Sequence, residues 1–275
     1  MDPDAVALGD ANVAAVAAVL ADRGRWRVLA ALGDGRALPA SMLAAEAGVA
    51  ASTASEHLAR LVGAGLLTVE RHGRYRYFRL AGPQVADLLE ALARVAPPVP
   101  VRSLREGTRA QALRFARTCY DHLAGRVGVA MMDAMLRRGF LEGGGENEVE
   151  NEVGTEAASG SGAAGLAPAR PWGDGLAVPG RAIRYGLTEP GAAFLGELGV
   201  DLAALPPRRP AVRYCIDWSE QRPHLAGAVG AALTSRLLAL DWLRPAERSR
   251  AVHLTDQGRA GLTSVFGIDA ERAAS

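Results

Sequence analysis

Two stretches of this sequence carry the same uncommon set of side chains. Residues 119–128 read CYDHLAGRVG, and from 215 the chain reads CID, six further residues, then HLAGAVG. Each stretch supplies one thiol, one carboxylate and one imidazole: Cys119, Asp121 and His122 in the first, Cys215, Asp217 and His224 in the second. Two thiolates and two imidazoles can make a tetrahedral site for a soft divalent metal such as zinc, cadmium or lead, with the carboxylates as further donors. The spacing predicts a helix through Cys119 and His122, three apart and so on one face, whereas Cys215 and His224 are nine apart with Pro223 between them. The same residues also suit a packed core, since cysteine is commonly a small buried apolar residue and HLAG permits close helix packing. Both readings stand at the level of the sequence: no cofactor is required, and a bound soft divalent metal such as zinc, cadmium or lead is the one candidate.

The elements that would position these groups repeat as well. Each block is followed by a strand-like piece, an LTxxG motif and a helix start: IRYGLTEPGAAFLGELGVD at 183–201 and VHLTDQGRAGLTSVFGID at 252–269. A unit this small buries little surface alone, so residues 102–141 plus 181–270 are expected to form one pseudo-symmetric helical domain of two repeats. Between the repeats, residues 142–180 run from EGGGENEVENEV into a Gly, Ser and Ala tract with few large apolar residues. That acidic, glycine-rich stretch is expected to be a disordered insertion. The proline-rich APPVPV at 96–101 separates all of this from the N-terminal part.

A second group of residues with chemistry to offer lies before that break. Asp22 is placed to cap a helix that ends near Gly33, LPASMLAAEAG gives a short helix ending at Gly48, and ASTASEHLARLVGAG gives another ending near Gly65. In the last of these Ala54, Leu58, Leu61 and Val62 form an apolar stripe, leaving Thr53, Glu56, His57 and Arg60 on the other face. Ser52, Thr53 and Ser55 at its start can reach phosphates or base edges, because a reading helix enters the major groove by its first turn. LLTVERHGRYRYFRL then reads as a hairpin around His72-Gly73. Arg71, Arg74, Arg76 and Arg79 against the single acid Glu70 give the local basic density that phosphate contacts need.

Taken in order, LADRGRWRVLAAL, AAEAGVAASTASEHLARLVGAGLL and VERHGRYRYFRL resemble the ArsR/SmtB-type winged helix-turn-helix regulators over about residues 10–95. The resemblance implies a symmetric homodimer on a palindromic double-stranded DNA operator. It assigns base and backbone contacts to Ser52, Thr53, Ser55, Glu56, His57 and Arg60, the wing to Arg71, His72, Arg74 and Arg76, and dimer helices to 11–20 and 83–95. Ala50 and Ala51 depart from the family's frequent Ser cap and Gln, so base readout by those two is lost. The family's usual metal ligands are absent too: no cysteine precedes residue 119, and the helix after Pro83 has Asp87 but no histidine. Any signal is therefore expected to act on the duplicated domain.

Composition limits the remaining classes. The formal charge is +1 and all basic residues are arginine, so a nucleic-acid face must come from a local patch. No run is long and apolar enough for a bilayer, and the acidic start MDPDAVALGD is unlike a secretory signal, so a cytoplasmic location is expected. GSGAAG at 160–165 matches GxGxxG without a preceding strand, and no Ser-His-Asp, HExxH or P-loop pattern occurs, which argues against an enzyme. Trp172, Trp218, Trp242, Tyr185 and Tyr214 could line a pocket for a small organic effector or fill a core. The resulting expectation is a mainly α protein with small β-hairpins, a winged helix-turn-helix followed by two helical pseudo-repeats. Its expected role is a repressor released by a soft metal (cadmium, lead, zinc or arsenite) or by a thiol-reactive or organic ligand. The alternative is the same DNA-binding part fused to an enzymatic or protein-interaction domain.

Overall fold

The computed structural model describes residues 11–73, 75–97, 99–145, 183–247 and 249–269. The chain divides into two compact units, Met1–Leu89 and Glu90–Ser275. In the first, α1 (Val13–Leu20), α2 (Arg23–Ala31), the two-residue strand β1 (Leu38–Pro39), α3 (Ala40–Ala47) and α4 (Ala51–Gly63) precede a hairpin of β2 (Leu67–His72) and β3 (Tyr75–Leu80). The three strands form one antiparallel sheet in the order β1-β3-β2. Asp22 caps α2 by accepting the Arg25 N–H at 2.9 Å, as its position in the sequence predicts. Of the predicted stripe, Ala54, Leu58 and Leu61 of α4 are buried and Val62 is half-buried; Val28, Leu29, Leu43, Phe78 and Leu80 of the same unit are buried with them, each large side chain contributing about 1.5–3 kcal/mol of burial.

Helix α5 (Pro83–Val95) crosses from one unit into the other, so the division falls inside this helix and not at the proline-rich 96–101. Glu90, the first residue of the second unit, is buried and bound there by Arg117 and Arg250.

The second unit continues with α6 (Leu104–Phe115), β4 (Arg117–Cys119), β5 (His122–Ala124), α7 (Gly125–Arg137), β6 (Leu141–Gly145), β7 (Ile183–Leu187) and α8 (Glu189–Glu197). It then runs β8 (Arg213–Ile216), β9 (Pro223–Ala226), α9 (Gly227–Ala239), β10 (Leu243–Pro245), β11 (Val252–Leu254) and α10 (Asp256–Gly261), closing with a wide π-helical turn at Leu262–Phe266. The order hairpin, 13-residue helix, hairpin, short helix thus occurs twice. Both halves share one core, in which Val127, Met131, Met135 and Leu195 of the first meet Val229, Leu233, Leu237 and Trp242 of the second.

The repeated motifs have repeated physical causes. In each LTxxG the threonine caps a helix: Thr188 accepts from the Gly191 N–H at 3.1 Å and Thr255 from the Gly258 N–H at 2.9 Å. A side chain on either glycine would put its Cβ 2.1 Å from a carbonyl oxygen, of Phe140 or of Trp242. In each HLAGxVG the first glycine takes a positive φ, +79° at Gly125 and +80° at Gly227, where the strand turns into the helix.

Two expectations need correction. The Cys119–His122 stretch is not helical but a tight hairpin turning at Tyr120-Asp121, with Tyr120 at φ +58°. Strand β4 is held on both sides, by β5 and by bonds from Thr118 N–H to the Arg250 carbonyl and from Val252 N–H to the Ala116 carbonyl, and these outweigh the helical spacing. The proposed disordered insertion also begins too early: Glu142–Gly145 lie in β6, paired with β7 and anchored by buried Leu141 opposite Leu187. Residues 146–180 of that insertion lie outside the described residues.

Candidate functional site

In the first unit, α4 begins at Ala50 and Ala51 without a side-chain cap, which leaves the N–H groups of its first turn without intrahelical or side-chain partners. Ser52, Ser55, Glu56 and Arg60 are exposed and Thr53 is half-buried, so the polar face predicted from the sequence is at the surface. Ser55 donates its hydroxyl to the Ala51 carbonyl at 2.9 Å. His57 does not share that face: its side chain is 13% exposed and its Nε2 lies 3.7 Å from Asp22 Oδ1, at the start of α2. Packing over Gly24, whose added Cβ would lie 2.9 Å from that ring nitrogen, turns His57 into a support for α4.

In the wing, Arg71, His72 and Arg76 are exposed, and Arg74 lies outside the described residues. Arg71 sits directly opposite Arg76 and His72 opposite Tyr75. Arg79 is engaged with Glu70 at 3.1 Å, leaving the Arg71–Arg76 pair as the like-charged rung of the hairpin.

In the second unit the four soft donors converge. Cys119 pairs in register with His122 across β4–β5, and Cys215 with His224 across β8–β9, so a cross-strand pair replaces the helix face; of the six extra residues, 218–222 are loop and Pro223 opens β9 opposite Ile216. One ligand atom from each of Cys119, His122, Cys215 and His224 lies within 4.8 Å of all the others. The imidazoles stack with centroids 5.1 Å apart. The two histidines are held from behind by the opposite repeat: a Cβ on Gly230 would lie 3.4 Å from that of His122, and one on Gly128 3.7 Å from that of His224. His122 Nε2 and both ring nitrogens of His224 are buried without a hydrogen-bond partner.

Asp121 and Asp217, expected as further ligands, are occupied elsewhere. Arg209 grips Asp121 at 2.5 and 2.9 Å, and Asp121 also lies 3.3 Å from His122 Nδ1. Asp217 is fully buried, paired with Arg117 at 3.0 Å and accepting N–H groups of Gly125 at 2.6 Å and Ser219 at 2.9 Å, while His224 Nδ1 stands 3.9 Å off. Arg117 in turn meets Glu90 at 3.1 Å, and Glu90 meets Arg250 at 2.9 Å. Burial acts against both aspartates, yet His122 and Arg209 hold Asp121 at about 2, and Arg117 leads the groups that hold Asp217 at about 2. Hydrogen bonding with Cys215, then burial, pushes the Cys119 thiol up. Burial would lower His122, but Asp121 and Cys119 hold it at about 9, and burial followed by the neighbouring His122 pushes His224 down.

The helix-turn-helix domain family matches residues 20–70. An uncharacterized HTH-type transcriptional regulator, YdfF of Bacillus subtilis (strain 168), is 36% identical over 249 residues, which is 90% of this chain and 94% of that relative. The chain belongs to the HTH-type transcriptional regulators. Among solved structures, the homodimeric winged helix-turn-helix domain of Mb0332 from Mycobacterium bovis, described as possibly of the ArsR family, is 32% identical, with 32% of this chain and 88% of that one covered at a TM-score of 0.28. Reduced HlyU from Vibrio cholerae N16961 is 23% identical, covering 31% of this chain and 90% of that one at a TM-score of 0.29.

The described aromatic residues, offered as pocket lining or as core, make packing contacts in the regulator. Trp218 stacks under Arg117 at 4.8 Å and Arg114 at 5.5 Å, Tyr185 meets Tyr214 edge-on at 5.3 Å, and Trp242 is buried against Gly261. Trp172 and the 160–165 glycine motif lie outside the described residues. No described helix of the regulator is long and apolar enough to cross a membrane. Sequence reading missed Glu90, Arg117, Arg209 and Arg250. The one available sign was an arginine two residues before each cysteine, but Arg213 is exposed where Arg117 is fully buried.

Proposed function

We propose that this regulator is a cytoplasmic repressor of the ArsR type that binds a palindromic operator as a homodimer and lets go when an effector occupies the Cys119–His224 cluster of its second unit. The observation that carries the DNA-binding part is the uncapped, polar start of α4 followed by a wing with Arg71 opposite Arg76. Like charges directly across a hairpin destabilise it, and a phosphate between them removes the penalty. Ser52, Thr53, Ser55, Glu56 and Arg60 are the readers at the groove, Arg71, His72, Arg74 and Arg76 grip the backbone, and His57 supports the helix from behind. Dimerisation is supported by α1, whose sequence VAAVAAVL is apolar although none of its residues is buried within the chain.

The effector is a soft metal such as zinc, cadmium, lead or arsenite, or a thiol-reactive or organic ligand that reaches the same thiols. A catalytic role for the second unit would need an open coordination position or a nucleophile with its base, and four donors facing one another, three of them buried and Cys215 half-buried, favour a closed site. The test is fluorescence anisotropy on duplex DNA from upstream of its own gene. Saturable binding that is weakened by one of these effectors supports the reading, and failure to bind any fragment at low salt would sink it.

A further inference from the structure

The geometry points to a closed tetrahedral site for a d10 divalent cation of the zinc and cadmium class, with Cys119 Sγ, Cys215 Sγ, His122 Nε2 and one ring nitrogen of His224 as its four ligands. This deepens the proposed effector reading by naming the ligand class of that same cluster, and it rests on that reading only for the link to DNA.

Three observations converge. First, donor type and number are right: two sulfurs and two imidazoles, each pair delivered by the equivalent rung of the two hairpins. Tetrahedral bonds of about 2.3 Å to sulfur and 2.0 Å to nitrogen imply ligand–ligand separations of roughly 3.3–3.8 Å, so donors already within 4.8 Å of one another need to close by about 1 Å. Second, the nitrogens are otherwise unexplained. His122 is 5% exposed and His224 0% exposed, and leaving three of their four ring nitrogens buried without a partner is costly in an ordinary core. A cation satisfies them. Third, the surroundings orient the ligands. Asp121 stands behind His122 Nδ1 and is itself clamped by Arg209, so Nε2 faces inward, the carboxylate–imidazole–metal arrangement that fixes ring orientation. Asp121 and Asp217 are therefore positioning residues and not ligands.

The donor set also selects among ions. Two thiolates with two imidazoles in a tetrahedron suit zinc and cadmium better than hard cations, which prefer oxygen donors. Binding takes the cysteines as thiolates and both imidazoles with a free lone pair at the metal, so loading releases protons to the solvent and consumes no oxidant or reductant.

The test uses the full chain, reduced and stripped by chelator, titrated with cobalt(II) as a spectroscopic stand-in and then with zinc or cadmium. Expected are visible d–d bands and a sulfur-to-cobalt charge-transfer band typical of tetrahedral S2N2 coordination, saturating at one ion per chain and bleached by zinc. Cys119→Ser and Cys215→Ser should each weaken zinc binding by 100-fold or more, and Asp121→Asn by about 10–100-fold through loss of orientation. Cys215 is only half-buried, so its variant serves if the Cys119 one fails to fold, with circular dichroism as the check. A folded, reduced wild-type chain that gives no tetrahedral cobalt spectrum overturns the site, as does wild-type affinity in folded Cys215→Ser. Metal binding that leaves DNA affinity unchanged keeps the site and removes the effector reading; DNA release by an oxidant in a chain that binds no metal does the reverse.

Discussion

Arg71 and Arg76 face each other across the wing, and each is expected to hold a phosphate. Replacing either with alanine should weaken binding nearly equally on every DNA sequence and lower the slope of log affinity against log salt by about 1, measured by anisotropy from 50 to 200 mM salt. Arg60→Ala should instead relax base preference at one operator position, by about 1–3 kcal/mol if it reads a base edge. In the second unit the alternation of buried Asp217, Arg117 and Glu90 with half-buried Arg250 makes a different demand. Glu90→Gln takes away the carboxylate between two guanidinium groups, and breaking such a buried pair should cost about 3–5 kcal/mol in urea unfolding. At this scale the sequence was informative about donor types and less so about their roles. Two Cys, two His and two Asp were visible, but whether an aspartate ligates or stands behind a ligand depends on Arg209 and Arg117, which the chain brings in from 88 and 100 residues away.

At the scale of elements, the first unit was legible because its signals are local. Asp22 caps α2, the stripe Ala54, Leu58 and Leu61 sets the inner face of α4, and the wing has strands of six residues. The hairpins that carry the cluster have strands of three or four residues, too short to show alternation. The turns of both carry non-glycine residues at positive φ, Tyr120 and Gln221, so no turn signal marked them. Close approach between helix and hairpin leads to a testable asymmetry among glycines. A Cβ on Gly128 or Gly230 would lie 2.4 or 2.6 Å from the carbonyl oxygen of Leu123 or Leu225. Gly128→Ala and Gly230→Ala should each destabilise the chain by about 1–3 kcal/mol, since overpacking forces backbone shifts. Gly63→Ala, at a position with nothing within 4 Å, should stabilise it by about 0.4–1 kcal/mol. Equal effects in thermal or urea unfolding would show that the hairpin–helix packing is looser than described.

For the whole molecule, a net charge of +1 gives no general attraction to DNA, so under the proposed reading affinity is expected to come from α4 and the wing, presented twice in a homodimer. The apolar α1, with Val13 70% exposed, is the element expected to be covered in that dimer. Val13→Asp together with Val16→Asp should shift sedimentation velocity from dimer toward monomer and lower affinity for a palindromic site at least tenfold, while half-site binding stays weak and little changed. The most direct measurement is equilibrium anisotropy of the reduced, metal-stripped full chain on duplex DNA from upstream of its own gene, repeated with zinc or cadmium at one equivalent. The expected result is saturable, sequence-dependent binding that falls steeply with salt, drops on metal addition, and no longer drops in Cys215→Ser. Equal affinity for every duplex, or none at low salt, would contradict it.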